Sequence, residues 1–343
     1  MAIVSNVNEK SEVFIIAEVA QAHDGSIGIL HSYIDAVART DVDAIKFQTH
    51  IADAESSQFE PFRVNFSYED NTRFDYWKRM EFSLNQWIDI KQHCADVGLI
   101  FMSSPFSIAA VDLLEKTGIE KYKIGSGEIT NLLLLEKVAK TGKEIICSTG
   151  MSSFQELDRV MSFLESYDNK ISLLQCTTKY PAMPDEIGLN VINDIKRRYD
   201  CSVGLSDHSG TIFPSIAAVA LGAKIIEVHV AFDKMMFGPD STSSLTLHEL
   251  SQMVEGVRFI ETSLKCVVDK NDDSRFFELK TMFGKSLAVS RKLKKGNVIT
   301  FDDLEAKKPS GKGIPAQQFK YVIGKKLKFD KNKFDFLNET DLL

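Results

Sequence analysis

The chain has 343 residues, 44% of them apolar and 26% charged, which is enough to bury a full core with an appendage beside it. A formal net charge of −7 and an isoelectric point near 5.6 argue against a nucleic-acid surface but leave room for a locally positive pocket, so the expected partners are small molecules. Cys94, Cys147, Cys176, Cys201 and Cys266 are odd in number and widely spaced, and the apolar run Val13–Ile16 is too short for a signal or a membrane span; together these features predict reduced thiols and a cytoplasmic protein.

Short apolar runs recur along the chain at Val13–Glu18, Ala44–Gln48, Leu99–Ser103, Tyr122–Gly125, Glu144–Ser148, Ile171–Gln175, Ser202–Ser206 and Ile225–Val228. Continuous apolarity suits parallel strands buried on both faces. Helical stretches such as His31–Thr40, Leu84–Val97 and Phe154–Tyr167 supply the crossovers, and the order predicts a (β/α)8 barrel. The second strand-to-helix connection, from His50 to Phe82, carries Phe59, Phe62, Phe66, Tyr68, Phe74, Tyr76 and Trp77. It reads either as a lid or interface or as a surface excursion packed by its own aromatics. After a helix at Leu247–Leu264 the polar run Asp269–Ser274 marks a boundary. From Lys285 the alternation of Ser286–Thr300 predicts a small β-rich module, giving domains at residues 1–275 and 283–343.

In a barrel the reactive groups stand at the carboxyl ends of the strands. Here those ends are strongly polar: Glu18; Lys46 and Gln48; Ser103 and Ser104; Lys123 before Gly125-Ser126-Gly127-Glu128; Ser148-Thr149-Gly150; Thr177, Thr178, Lys179 and Tyr180; Ser206-Asp207-His208; and His229 ahead of Gly238-Pro239-Asp240. An ammonium inside an apolar strand is costly without an anion, and phosphate is the candidate for Lys46 and Lys123; the alternative is a lysine that snorkels or pairs with a carboxylate. Ser126, Ser148, Thr177 and Ser206 would add hydroxyls, and Gly125, Gly127 and Gly150 would let backbone N–H groups approach a phosphoryl oxygen. His208 and His229 close neighbouring strands; they are either core rings satisfied by backbone or a pair of metal ligands, which with oxygen ligands would suit manganese or another divalent ion such as magnesium or cobalt. His23 is a further pocket candidate, whereas His31, His93 and His248 fall on helices. Cys176 also ends a strand, and inert burial is the expected reading.

Ala17-Glu18 with His23-Asp-Gly25, Lys46-Phe-Gln48, Ser103-Ser-Pro-Phe106, Tyr122-Lys-Ile-Gly-Ser-Gly-Glu128, Ser148-Thr-Gly-Met151, Tyr180-Pro181, Gly204-Leu-Ser-Asp-His208 and Gly238-Pro-Asp240 together resemble the sialic acid synthase family. The tail resembles that family's antifreeze-like SAF domain through Lys285–Thr300 and Lys308-Pro309. The resemblance implies condensation of phosphoenolpyruvate with an open-chain 2-acylamino aldose and water, releasing phosphate and giving a nonulosonic acid. It implies that Lys46, Lys123, Ser126, Ser148 and Ser206 bind phosphoenolpyruvate, with Thr178 and Ser104 facing it and Gln48 beside them. Glu128 would stabilise an oxocarbenium or guide the water, the alternative being a cap for the next helix. Glu18, Tyr180 and Asp240 would hold sugar hydroxyls, and His208 and His229 the metal.

The family forms a domain-swapped homodimer whose small domain brings an arginine to the acylamino group; this chain has Lys308 there, and a lysine cannot copy a guanidinium fork. The first loop also departs, with Ala22-His23-Asp24-Gly25 where relatives show Asn-His-Asn-Gly. Both changes fall at the sugar end. The acceptor is therefore open among N-acetylmannosamine, a diacetamido-trideoxyhexose and another or a phosphorylated aldose. The rival readings are a synthase making an eight- or seven-carbon keto acid, which would not need the SAF-like tail, and a catalytically silent sugar-binding protein, which would need neither metal ligands nor an acid-base group.

Overall fold

In the computed structural model, which describes residues 11–64 and 68–343, eight strands follow in chain order, each pairing in parallel with the next. They are β1 (Phe14–Glu18), β2 (Ala44–Thr49), β3 (Ile100–Pro105), β4 (Lys121–Ile124), β5 (Glu144–Ser148), β6 (Ile171–Cys176), β7 (Ser202–Asp207) and β8 (Ile225–Ala231). β1 also pairs with β8, from Phe14 opposite Ile225 to Glu18 opposite His229, which closes the sheet as a (β/α)8 barrel. β8 runs on to Ala231, so His229 lies inside the strand rather than at its end; His208 directly follows β7.

Helices carry the chain back between strands, among them Ile27–Val37, Leu84–Asp96, Ile108–Thr117, Leu132–Ala139, Phe154–Leu164 and Leu247–Lys265. Each starts where a side chain on Ser26, Ser83, Ser107, Asn131, Ser153 or Thr246 accepts an otherwise orphaned helical N–H. The Ser26 cap explains why the first helix begins at Ile27, ahead of the predicted His31.

The strands turn successive side chains to opposite faces. Outward residues such as Ile15, Ile45, Phe47, Leu173 and Leu205 pack with Leu30, Ile34, Ile90, Val111 and Leu250. Inward, Ile16, Ala44, Met102, Ile146, Leu174 and Ile225 fill the middle of the barrel, each such burial stabilising by about 1.5–3 kcal/mol for a large aliphatic side chain. Gly204 belongs to this layer because a Cβ there would stand 2.2 Å from the Ile225 carbonyl oxygen and 2.6 Å from Leu174 Cδ2. The inward positions one step further along are polar on every strand but β6, where Cys176 stands. Continuous apolarity therefore describes only the outward face, a correction that matters because the inward polar set makes the floor of the pocket.

The His50–Phe82 connection contains two helices, Ala52–Glu55 and Arg73–Met80, the second capped reciprocally by Thr72 and Asp75. Ala52, Tyr76, Trp77 and Met80 form a satellite core with Phe62 and Phe74 packed on it, while Phe59 and Tyr68 are exposed. Phe66 lies outside the described residues.

The chain divides into two compact units between Cys266 and Val267. In the second, Ser286–Val289 pairs antiparallel with Leu304–Lys307 over a core of Leu287, Val289, Leu293, Ile299, Ile314, Val322, Leu327 and Leu337. Among the described residues no helix is long and apolar enough to cross a membrane.

Candidate active site

The carboxyl ends of the barrel strands enclose a cavity of about 380 Å³. Glu18, Lys46, Gln48, Ser104, Lys123, Ser126, Glu128, Ser148, Thr178, Tyr180, Ser206, His208, His229 and Asp240 all line it, although they come from every strand or from the segment after it. Register explains the convergence: β1 sets Glu18 beside Lys46 on one side and His229 on the other, β2 sets Gln48 beside Ser104, and β7 sets Ser206 beside Glu227. Lys308 belongs to the second unit, where its ammonium lies 4.8 Å from the centre of the Phe283 ring.

The anion that meets both strand lysines is Glu227, a residue the sequence reading passed over. Its carboxylate lies 3.3 Å from Lys123 Nζ and 3.8 Å from Lys46 Nζ, and it accepts a 2.9 Å hydrogen bond from the Ser206 hydroxyl. Glu18, expected to hold sugar hydroxyls, lines the cavity and pairs there with Lys46 at 2.6 Å and accepts from the Gln48 amide at 2.9 Å, almost fully buried. The signal for Glu227 was its place two residues before His229, on the same inward face of β8.

Burial works against ionisation of Glu227, yet Lys123, Lys46 and Ser206 hold its carboxyl well below the usual range. For Glu18 burial prevails over Lys46 and the carboxyl is pushed up, in part by Glu227 nearby. Lys46 stays protonated: burial opposes its charge, and the two glutamates restore it. The floor is thus two ammoniums and two carboxylates, with hydroxyls attached: Lys46 donates to Ser104 at 3.2 Å and Lys123 to Ser148 at 2.7 Å.

Beside the floor the β4 and β5 turns meet, the Gly150 N–H donating to Ser126 Oγ at 3.0 Å. A Cβ on Gly150 would come within 2.4 Å of Thr178 Oγ1 and 2.8 Å of Ser126 Oγ, so any side chain there must push those hydroxyls aside. Thr177 does not offer its hydroxyl to the cavity, because that group donates to the Glu186 carbonyl. Glu128 reaches the cavity while accepting from the Asn131 amide at 2.8 Å; Asn131, not Glu128, caps the next helix. Burial raises the Glu128 carboxyl above its ordinary range, the Asn131 bond opposing.

The rings of His208 and His229 meet edge to face with centroids 5.2 Å apart. The Thr177 carbonyl, which only accepts, takes a 2.8 Å hydrogen bond from His208 Nδ1 and so leaves the Nε2 lone pair available. Burial lowers the His229 pKa to about 3, keeping that ring neutral. Burial opposes charge on His208 as well, but Cys176, the Thr177 carbonyl and Glu227 raise its pKa above the ordinary imidazole range, so a divalent cation held by the two rings would displace a proton from His208. Its remaining ligands would come from elsewhere, since no group of three or more His, Cys, Asp or Glu placed to hold a metal ion occurs among the described residues. Cys176 is buried as expected, but its Sγ lines this wall 3.8 Å from His208 Nδ1.

The outer wall comes from the aromatic connection, and its polar members escaped the sequence reading. Arg63 stacks 4.0 Å over the Tyr180 ring, which also stacks on His208 at 4.2 Å and meets His229 edge to face at 5.8 Å, and donates to Asp240 at 2.5 Å. His50 lies between Trp77 and Phe106, at 3.9 and 4.5 Å, and meets Glu55 at 2.7 Å. Glu60 and Arg73 complete the wall. His23 is not part of it: its Nδ1 accepts from the Gly25 N–H at 3.0 Å and its ring packs on Phe82.

The NeuB family pattern matches residues 33–269. The chain is 33% identical to the N,N'-diacetyllegionaminic acid synthase of Campylobacter jejuni over 320 residues, covering 92% of this chain and 95% of that one. It is 30% identical to the human N-acetylneuraminate-9-phosphate synthase over 326 residues, 92% of this chain and 88% of the other. Among solved structures, the N-acetylneuraminic acid synthetase of Leptospira borgpetersenii superposes with a TM-score of 0.70 at 28% identity, covering 81% of this chain and 95% of that one.

Proposed function

The chain belongs to the NeuB family, and from that premise we propose that it condenses phosphoenolpyruvate with an open-chain 2-acylamino aldose, consuming water and releasing phosphate to give a nonulosonic acid. The observation that carries this reading is the pairing of two buried ammoniums with a rim of hydroxyls on one side of a cavity and two imidazoles on the other.

Phosphoenolpyruvate would lie over Lys46 and Lys123, its oxygens competing with Glu18 and Glu227 for the ammoniums and taking hydrogen bonds from Ser104, Ser126, Ser148, Thr178 and Ser206. The low-dielectric floor strengthens those contacts and keeps them fixed before substrate arrives. His208 and His229 would hold a divalent ion, manganese first with magnesium or cobalt as alternatives, which when bound supplies Lewis-acid polarisation of the aldehyde oxygen. The enolpyruvate methylene then attacks the aldehyde carbon, and positive charge develops at the former enol carbon. Glu128, which lines the cavity, would take one proton of the water that adds there and pass it to the alkoxide formed from the aldehyde oxygen; the C–O bond to phosphate of the tetrahedral adduct then breaks, its hydroxyl becoming the ketone as its proton leaves with the phosphate. Glu18, Tyr180, Asp240 and Gln48, all lining the cavity, would position the sugar; Lys308, in the second unit, would be contributed by another copy.

A homodimer of that kind draws support from apolar side chains left exposed in segments that follow the strands' carboxyl ends: Phe59, Leu133, Met151, Phe213 and Met235. Sedimentation at micromolar concentration is expected to give twice the chain mass.

The test of function is phosphate release from phosphoenolpyruvate with manganese against N-acetylmannosamine, diacetamido-trideoxyhexoses and their phosphates, with mass spectrometry of the product. A metal-dependent nonulosonate is expected. Absence of release with every acceptor overturns the reading.

A further inference from the structure

Arg73 stands out among the side chains of the cavity wall because its polar edge is left without acceptors. Its Nε and Nη1 are buried and have no hydrogen-bond partner among the described residues, and the nearest carboxylate oxygen, on Glu60, is 3.6 Å from Nε. The flat face of the guanidinium is accounted for: it stacks 4.2 Å from the Trp77 ring centre, with Tyr76 at 5.4 Å and Phe62 at 5.9 Å. Stacking satisfies the face of a guanidinium but not its N–H edge, and buried donors left unmade are costly.

The neighbouring groups decide which kind of ligand would complete this edge. Glu60 balances Arg73, and Asp240 balances Arg63, so the outer wall carries no net positive charge for an anion to neutralise. A neutral group with a carbonyl oxygen fits better. Glu60 already accepts from Trp77 Nε1 at 3.1 Å and from the Ser56 hydroxyl, and it lines the cavity with about a third of its side chain exposed, leaving an acceptor for one more N–H. Arg73 and Trp77, one turn apart on the helix Arg73–Met80, and Glu60, held to both from the loop before it, give a donor, an apolar surface and an acceptor complementary to the three parts of an acylamino group: carbonyl, methyl and N–H.

We propose that Arg73 and Glu60, on Trp77, are the acylamino-reading site of this chain, supplied by the barrel's own second connection. This deepens the proposed function and rests on it for the occupant being a sugar. Arg73 here is a specificity residue. It takes no part in the chemistry, so its loss should change which acceptor binds and leave phosphoenolpyruvate handling as it was.

The experiment compares N-acetylmannosamine with mannose, which has a hydroxyl where the former has the acylamino group, binding to the full-length protein with magnesium and inorganic phosphate present, followed by NMR titration. Wild type is expected to prefer N-acetylmannosamine by at least about tenfold, and R73Q to bring the two within about threefold. R73K, which keeps the charge but not the planar fork, is expected to fall between them, and remains informative if R73Q does not fold. No preference in wild type, or an undiminished preference in R73Q or R73K, overturns the proposal. Because binding is read without turnover, this result is independent of the phosphate-release assay: a preference without release leaves this site standing and removes the proposed reaction, and release without preference does the reverse. In variants that turn over, the Michaelis constant for phosphoenolpyruvate is expected to be unchanged, which a general structural defect would not spare.

Discussion

The floor of the cavity and its outer wall are built on opposite terms. On the floor, Lys46, Lys123, Glu18 and Glu227 sit on strands, nearly inaccessible, and each is held by a register that the closed sheet does not allow to slip. On the wall, Arg63, Glu60 and Arg73 belong to a long connection with a small core of its own, and they are partly exposed. The difference teaches where variation is tolerated. Changing the floor disturbs a charge balance in a low dielectric, whereas changing the wall alters which molecule is met at the mouth.

Substitutions at four positions would break or sharpen that contrast. The largest effect is expected for Glu128→Gln, which borders both regions and should lower kcat by about 10²–10⁴-fold if the carboxylate receives the water's proton. The sign of its pH dependence follows from the raised carboxyl: the ionised form is the active one, so activity is present above the Glu128 pKa and lost as pH falls through it, beginning above the ordinary glutamate range. A pH–rate profile in which wild type and Glu128→Gln share the same acid limb would refute the assignment.

Glu227→Ala leaves Lys46 and Lys123 with less compensation and should cost about 3–5 kcal/mol of unfolding free energy, measured in urea. Glu227→Gln keeps the shape and the Ser206 contact and should cost less; equal losses would mean that packing, not charge, matters there. Gly150→Ala tests the crowded turn, where the new Cβ would press on Thr178 and Ser126; the expected destabilisation is about 1–3 kcal/mol, with a raised Michaelis constant for phosphoenolpyruvate. At the mouth, Phe59→Ser removes a side chain that is 94% exposed and should change the stability of the single chain by no more than about 0.5 kcal/mol, any further loss appearing as weaker dimerisation in sedimentation. If that change instead lowered the affinity for phosphoenolpyruvate, the separation between floor and wall would fail.

Most of the floor was legible because a barrel strand has period two and a known end for chemistry: once eight strands are recognised, Lys46, Ser104, Lys123, Ser148, Ser206 and His229 all fall inward toward the carboxyl end. Glu227 obeys the same rule and was hidden only by the apolar residues on either side of it, which face outward. Arg63 and Arg73 follow no such rule. They lie in a connection whose path depends on its satellite core, and nothing in their spacing says that both return to the cavity.

The sequence by itself determined the barrel, the rank of polar groups at its carboxyl end and the separate β-rich tail, because strand periodicity and helix caps are local and repeat unit after unit. Only the tertiary structure decided which charges are partners. Glu18, Lys46, Glu227 and Lys123 are spread over four strands, and ion pairing falls off over a few ångströms, so the partner of a buried lysine is set by barrel closure and register rather than by any residue near it in the chain.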